Sequence, residues 1–488
     1  MNSAEAVEVK TSRDKLPAIA LGALIGIYIA VFGWLTWRQQ SHFGTFGFDM
    51  GIYDQGIWLV SRFKEPFVTV RGLNYFGHHV NLITLVLVPF YWLGAGPHFL
   101  YLFETFAMAA GAIPIWLLTS DKTGNRWAAL VPAGAYLLYP ALEWINWWHF
   151  HPDALIITPL LFAWWLASRK KWRWFVVALV CALLAKEDAA LAVIVMGVVM
   201  AIRGERKWGG RTVIAGAAWF LICTRIIIPI ANNGGSPFYE EFFPDFGHSM
   251  FAIAWTMIRH PSRIYRVAFL ADRMTYYRQL LIPVALMPFA APLLLAVGGP
   301  QILVNVVSLH SPTHDIHYHY SSIPIVAIFL ATVEVYALLV RRGGWVRGLA
   351  VGVLIVSSVG SNIAWSPSPI GRAYDDGYWV ASYPRHAAVK AALKLVNPSD
   401  AVTATHYIVP HLTHRVQIYE FPNPFVVANW GANGENPPDP KSSDVLVLDT
   451  TVNGGSDELY ERLVAPTGPY RIVFERDEVV VARRKSGR

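Results

Sequence analysis

Phe46-Gly47-Phe48-Asp49-Met50-Gly51-Ile52-Tyr53-Asp54-Gln55-Gly56-Ile57-Trp58 stands just after the first long apolar run of the chain. Two carboxylates five residues apart, flanked by glycines and aromatics at a membrane boundary, are costly to hold there without a partner or a task. At a spacing of i and i+5 they do not share one helix face, so one can face a site while the other pins the loop. A carboxylate on a partly dehydrated surface is expected to have a raised pKa, which suits it to accept a proton from an attacking hydroxyl. An Asp ahead of an apolar helix also reads as an N-cap, and Asp49 stands in that position too.

The surrounding composition decides the class. Of 488 residues 54% are apolar and only 15% charged, with 20 Trp, which describes a polytopic membrane protein rather than a soluble one. The net charge of +7 comes from Lys and Arg clustered in short segments between apolar runs, a topology pattern and not a nucleic-acid stripe. Cys181 and Cys223 each lie in an apolar run and imply neither a disulfide framework nor a thiolate metal site. No repeat of 20–50 residues is present.

Residues 1–15 form a polar tail with Lys10, Arg13 and Lys15, and 16–37 are long enough to span as a retained anchor. The positive-inside bias puts the N-terminus in the cytoplasm and the Asp49 loop, 38–97, outside. Residues 80–93 are apolar but short and bounded by Gly94-Ala95-Gly96-Pro97, which predicts an interfacial helix. Alternation of K/R-rich and K/R-poor connections then gives spans over 98–119, 127–143, 154–168, 212–231, 278–299, 300–309, 321–340 and 345–364. Residues 174–202 are too long for one upright helix between two basic loops, so they fold as two short helices turning at Lys186-Glu187-Asp188. Residues 232–277 are an external loop. The sum is about 11 crossings, a mainly α membrane bundle over 16–364. After a linker at Trp365-Ser366-Pro367-Ser368-Pro369, residues 365–488 have globular polarity and predict a small extracytoplasmic α/β domain. Its helix is expected near 385–396 and its strands near 401–405, 415–419, 444–449, 470–474 and 478–482.

Five polar clusters collect on one side under this topology: Asp49/Asp54, His78/His79, His149/His151/Asp153, Lys186/Glu187/Asp188 and His310–Tyr320, the last ending in His319-Tyr320. Lys186 interrupts a long apolar stretch and either pairs with its acidic neighbours or faces a phosphate as a point charge. Arg225, in the outer half of a span, is a second phosphate candidate or a snorkelling cation. His149-x-His151-x-Asp153 would place three ligand types on one side of an extended segment and suit a divalent metal, Zn or Mn. The interleaved Trp147, Trp148 and Phe150 read equally as an interfacial belt that needs no metal, and the pattern leaves both open.

The segments Phe48-Asp49-Met50-Gly51-Ile52-Tyr53-Asp54-Gln55, Gly77-His78-His79, Tyr139-Pro140, Phe150-His151-Pro152, Lys186-Glu187-Asp188 and His319-Tyr320 resemble a prokaryotic multi-spanning family known only as domain of unknown function 2079. More distantly the chain is similar to the GT-C glycosyltransferases, integral membrane enzymes that take a sugar from a polyprenyl-phosphate carrier at the outer face of the cytoplasmic membrane. That resemblance implies Asp49 as the first-loop acid and Asp153 as the acid of the next outer loop, with Asp54 in support. It makes Lys186 the residue of a cationic turn. The implied partners are a polyprenyl-phosphate sugar donor, a glycan, lipid or protein acceptor, and membrane lipid, with no nucleic acid. His78, His79, His149, His151, Glu187, Asp188, Arg225, His319 and Tyr320 are the expected substrate-binding set. The competing class is a transporter or flippase for a lipid-linked or anionic substrate, with the same charges lining its path.

Overall fold

The computed structural model describes residues 3–234, 242–379, 385–426, 428 and 439–485, with side chains from residue 15 onward. The chain is a bundle of helices carrying a small α/β sheet at its C-terminal end. Among the described residues, five helices are long and apolar enough to cross a membrane: Lys15–Ser41, Pro97–Thr123, Arg206–Ala231, His319–Arg341 and Gly344–Trp365. At 1.5 Å per residue each exceeds the roughly 30 Å hydrocarbon core. Shorter apolar helices fill in around them.

The expected turn at Lys186-Glu187-Asp188 is present, between helices Trp172–Ala185 and Ala189–Ile202. Elsewhere the expected spans break where the backbone cannot continue. The run 127–143 becomes Leu130–Leu137 and Pro140–Trp147, because Pro140 has no N–H to give and forces Tyr139 into an extended conformation. The single span expected over 278–299 is not formed. Residues 282–298 are a chain of short helical pieces, interrupted by Pro283, Pro288 and Pro292 and by Ala285 and Leu286 in the left-handed region, with φ of 55° and 57°. The segment expected as an external loop, 232–277, carries helices Met250–Arg259, Pro261–Ala268 and the start of Ala271–Leu281. Phe251, Trp255, Ile258, Tyr265 and Phe269 are exposed on it, and the Arg259 guanidinium sits 4.4 Å from the Trp255 ring centroid. That mixture of aromatics and arginines is the composition of helices lying in a membrane interface.

The basic connections meet at one end of the bundle. Lys122 and Arg203 both pair with Glu334, at 2.9 and 3.6 Å, and Arg169 and Lys170 pair with Asp121 and Glu205. The connections without Lys or Arg gather with the first loop at the other end.

In that loop β1 (Phe67–Val68) and β2 (Leu73–Asn74) form a two-residue antiparallel ribbon. The C-terminal sheet contains β3 (Val402–Ala404), β4 (Ile418–Glu420), β5 (Val445–Asp449), β6 (Tyr470–Arg476) and β7 (Val479–Arg484), in the order β4-β3-β5-β7-β6. β3 runs parallel to both neighbours, and β7 antiparallel to β5 and β6. Alternation along β5 sends Val445 and Val447 to one face and Leu446 and Leu448 to the other. The second face is covered by helix Asp457–Val464 through Leu459 and Leu463. The first is covered by helix His386–Leu393 and shares one apolar core with Phe43, Met50, Ile52 and Ile57 of the first loop. The segment Trp365–Pro369 is therefore no free tether. Ser366 and Ser368 are buried, Ser366 donates to the Glu143 carboxylate, and Trp144 Nε1 donates to the Trp365 carbonyl at 2.6 Å.

Helices Ala189–Ile202 and Arg206–Ile222 approach at backbone contact. A Cβ added to Gly209 would lie 2.5 Å from the Gly197 carbonyl oxygen, and one added to Gly216 would lie 2.9 Å from that of Ala190. Small residues permit this approach where no water drives helices together. Gly209→Leu should therefore push the pair apart and cost about 1–3 kcal/mol, read as a lower midpoint of thermal unfolding in detergent. An unchanged midpoint would contradict the packing described here.

Candidate functional site

The first loop enters the site through strained backbone. Phe48 is extended, whereas Asp49 sits at φ 68°, ψ −85°, the sparsely populated γ-turn region for a non-glycine residue. Three successive amides before it are held by distant parts of the chain. Phe46 N–H donates to His149 Nε2 at 3.2 Å, Gly47 N–H to the His406 carbonyl at 2.7 Å, and Phe48 N–H to the Glu420 carboxylate. Gly47 is required by this close approach, since a Cβ there would meet Glu420 Oε2 at 2.6 Å and Val409 Cβ at 2.9 Å.

The Asp49 side chain is fixed as firmly. Trp148 Nε1 donates to its Oδ2 at 2.9 Å, and His151 Nε2 lies 3.2 Å from Oδ1. His151 Nδ1–H donates to the His149 carbonyl at 3.0 Å, so a proton on Nε2 as well makes the ring an imidazolium facing a carboxylate. Burial alone would push the Asp49 carboxyl up, but the charge and hydrogen bond of His151, aided by His149 and His319, hold it well below the usual carboxylate range. The same pairing outweighs burial at His151 and raises its pKa. The sequence-based expectation of a raised Asp49 pKa is thus reversed, because a cation that folding brings close overrides desolvation. His149 is pushed down to about 3 by burial, so it is neutral and accepts the Phe46 amide.

Lys186 lies at the end of helix Trp172–Ala185, 3% exposed. Its Nζ is 2.8 Å from Asp153 Oδ1 and 3.7 Å from Asp188 Oδ2, and stands 5.9 Å from the Tyr320 ring centroid. Glu187 turns away from Lys186 and accepts from His79 Nδ1 at 2.7 Å and from Val80 N–H at 3.0 Å. Burial keeps His79 and His78 neutral.

A cavity of about 610 Å³ joins these groups. Asp49, His78, His79, His151, Lys186, Asp188, His319 and Tyr320 line its polar end, with the His319 ring stacked on His151 at 3.8 Å. Leu191, Phe220, Met250, Ile253, Met257 and Val304 supply much of the remaining wall, with Gln301, Asn305, His310 and Thr313 as polar residues among them. The space thus joins a cluster of charged groups to a lining that is mostly apolar.

Other expected residues lie elsewhere. His149, Asp153 and Glu187 do not line the cavity; each supports a residue that does, His149 through its carbonyl to His151 Nδ1–H, Asp153 through Lys186 and Glu187 through His79. Asp54 is fully buried behind the loop, where Tyr91 donates to it at 2.6 Å, Thr413 donates to it, and His414 Nε2 lies 3.3 Å away. It pins the loop to the C-terminal sheet and does not reach the cavity. Arg225 is exposed on the outside of its helix, away from the cavity lining, which removes it as a phosphate partner there. The metal reading of His149, His151 and Asp153 also fails on geometry. Their ring nitrogens and carboxylate point to Phe46, Asp49 and Lys186 respectively, and among the described residues no three His, Cys, Asp or Glu side chains converge for a metal.

Several members of the site carried no expectation. Glu104, fully buried in Pro97–Ala109, accepts the His151 amide at 3.1 Å; a lone acid in an apolar span was a legible signal. Glu420 and His406 come from the C-terminal sheet, and nothing local in their sequence marks them.

The family model described as "Predicted membrane protein (DUF2079)" matches residues 41–481, so the chain belongs to that family of membrane proteins. Among solved structures, the apo form of ArnT from Cupriavidus metallidurans overlaps with a TM-score of 0.54 at 14% identity, covering 95% of this chain and 98% of that one. This gives the chain an ArnT-like GT-C fold. The Archaeoglobus fulgidus oligosaccharyltransferase, solved with Zn and sulfate, overlaps with a TM-score of 0.43 at 14% identity over 91% of this chain and 71% of that one. No curated protein matches the sequence.

The Lys186–Asp153 pair generates a double-mutant test. Lys186→Met strands a buried carboxylate and should cost about 3–5 kcal/mol, whereas Lys186→Met with Asp153→Leu should recover most of the loss. Additive losses in urea or thermal unfolding would show that the two do not interact.

Proposed function

We propose that this member of the DUF2079 family is a glycosyltransferase, moving a sugar from a polyprenyl-phosphate carrier to an acceptor at the outer face of the cytoplasmic membrane. The observation that carries the reading is the two-ended cavity. An anionic carboxylate and two buried cations, His151 and Lys186, stand at one end, and an apolar channel continues from it. A substrate with a sugar, a phosphate and a hydrocarbon tail has the same three parts. The basic loops gather at the opposite end of the bundle, which favours the outer side for the cavity.

In the reaction the acceptor oxygen or nitrogen attacks the anomeric carbon, the C–O bond to phosphate breaks, and its electron pair leaves with the polyprenyl phosphate. The acceptor proton ends on solvent or on the departing phosphate. Asp49, kept ionised, is a weak base and serves instead to orient the acceptor and stabilise positive charge developing on the sugar ring. Lys186 and the His151 imidazolium offset the charge of the leaving phosphate. Asp153 and Glu187 hold Lys186 and His79 in place.

Two outcomes are expected in reconstituted vesicles given a polyprenyl-phosphate sugar. Asp49→Asn should lower transfer at least about 100-fold while the protein remains folded. Wild-type transfer should fall as pH rises through the elevated His151 pKa, since the imidazolium is present below that value and lost above it. His151→Gln should lower the rate and remove that alkaline limb. Undiminished transfer by Asp49→Asn would refute the assignment, and movement of the lipid between leaflets without transfer would replace it with the transporter reading.

A further inference from the structure

In open α/β sheets, the crevice beyond the carboxyl ends of parallel strands is where ligands ordinarily bind. Here β3, β4 and β5 are the parallel strands, ending at Ala404, Glu420 and Asp449. Beyond β3 and β4 that place is taken by the protein's own first loop. His406, two residues beyond β3, accepts the Gly47 amide through its carbonyl, and Glu420, the last residue of β4, accepts the Phe48 amide. Val409 packs on Gly47 and Gly51 from the same side. The two captured amides immediately precede Asp49, whose left-handed backbone would relax if they were released. Among the described residues, Glu420 Oε2 is buried with no hydrogen-bond partner, so the carboxyl sits there at a cost in desolvation that the Phe48 contact must offset.

We propose that Glu420 is a positioning residue for Asp49, and that the C-terminal sheet acts as a clamp setting the geometry of the first loop. The role assigned to Asp49 rests on the function proposed above; the clamp itself does not. Gly47 is the complementary half of the device, because any side chain there would displace the Glu420 carboxyl.

The clamp has a defined pH behaviour. Burial first, and then the nearby Asp49 charge, push the Glu420 carboxyl up to about 7 against the opposing Phe48 hydrogen bond. Beside it, burial lowers the pKa of His406, whose carbonyl holds the Gly47 amide, and His149 and His151 act on Asp49 from the bundle side. A carboxyl whose folded pKa is raised favours the folded, docked state when protonated, so the grip weakens as pH rises through about 7. Gln, which keeps the acceptor oxygen without the charge, should preserve the grip and remove its pH dependence.

The experiment is hydrogen exchange on the full-length protein in nanodiscs, comparing wild type, Glu420→Ala and Glu420→Gln between pH 6 and pH 8 after correction for intrinsic exchange. Glu420→Ala should speed exchange at Gly47–Asp49 about 10-fold or more while β3 and β5 stay protected. Glu420→Gln should restore slow exchange, flat across the pH range. Where transfer is measured alongside, Glu420→Ala should lower kcat with little change in KM for the lipid donor. Unchanged exchange at Gly47–Asp49 in Glu420→Ala would overturn the proposal. A changed exchange rate in a protein that shows no transfer activity would instead leave the clamp standing and remove the glycosyltransferase reading.

Discussion

The pairing of Asp49 with His151 is the constraint on which the rest of the site depends. A carboxylate at the mouth of a helix bundle loses hydration, and without a cation it would take up a proton. His151 keeps it ionised, and the pKa of His151 is raised in turn because Asp49 faces its Nε2 while the His149 carbonyl holds its Nδ1–H. Trp148 completes the carboxylate's hydrogen bonding. Each group is therefore set by a neighbour from another segment, and the segments 46–51, 148–153, 186–188 and 319–320 are obliged to meet.

The molecule supports that meeting from two directions. From the bundle side, the Lys186 turn is locked through Asp153, while Glu187 reaches across to His79 and the Val80 amide, so three connections are tied at one level. From the other side, the C-terminal domain grips the first loop twice, through the Gly47 and Phe48 amides and again through Asp54 with Thr413 and His414. The two aspartates of the loop thus divide the work that their spacing separates. Asp49 faces the cavity, and Asp54 anchors the helix behind it.

Much of this was legible in the sequence, and the reasons are particular. The hairpin at Lys186-Glu187-Asp188 could be read because a charged triplet inside an apolar run between two basic loops admits only a turn. The five strands after residue 400 could be read because their apolar runs are short and separated by turn residues. The span expected at 278–299 failed because prolines are tolerated in membrane helices, and nothing in Val284-Ala285-Leu286-Met287 announces two left-handed residues. The polar clusters were visible as charges where lipid should be, but their pairings were not. Asp153 finds Lys186 across 33 residues, and Thr413 finds Asp54 across 359, distances over which no local pattern operates. The charge state of Asp49 was misread for the same reason, since the imidazolium that fixes it comes from a hundred residues downstream in a different loop.

Whether the cavity receives a lipid phosphate decides the role proposed for Asp49, His151 and Lys186. The most direct measurement is a structure determined by cryo-electron microscopy with a short polyprenyl phosphate bound. The phosphate is expected between Lys186 and His151, with the hydrocarbon running along Phe220, Ile253 and Met257. A lipid phosphate seated elsewhere on the bundle, with the cavity beside Asp49 untouched, would contradict it.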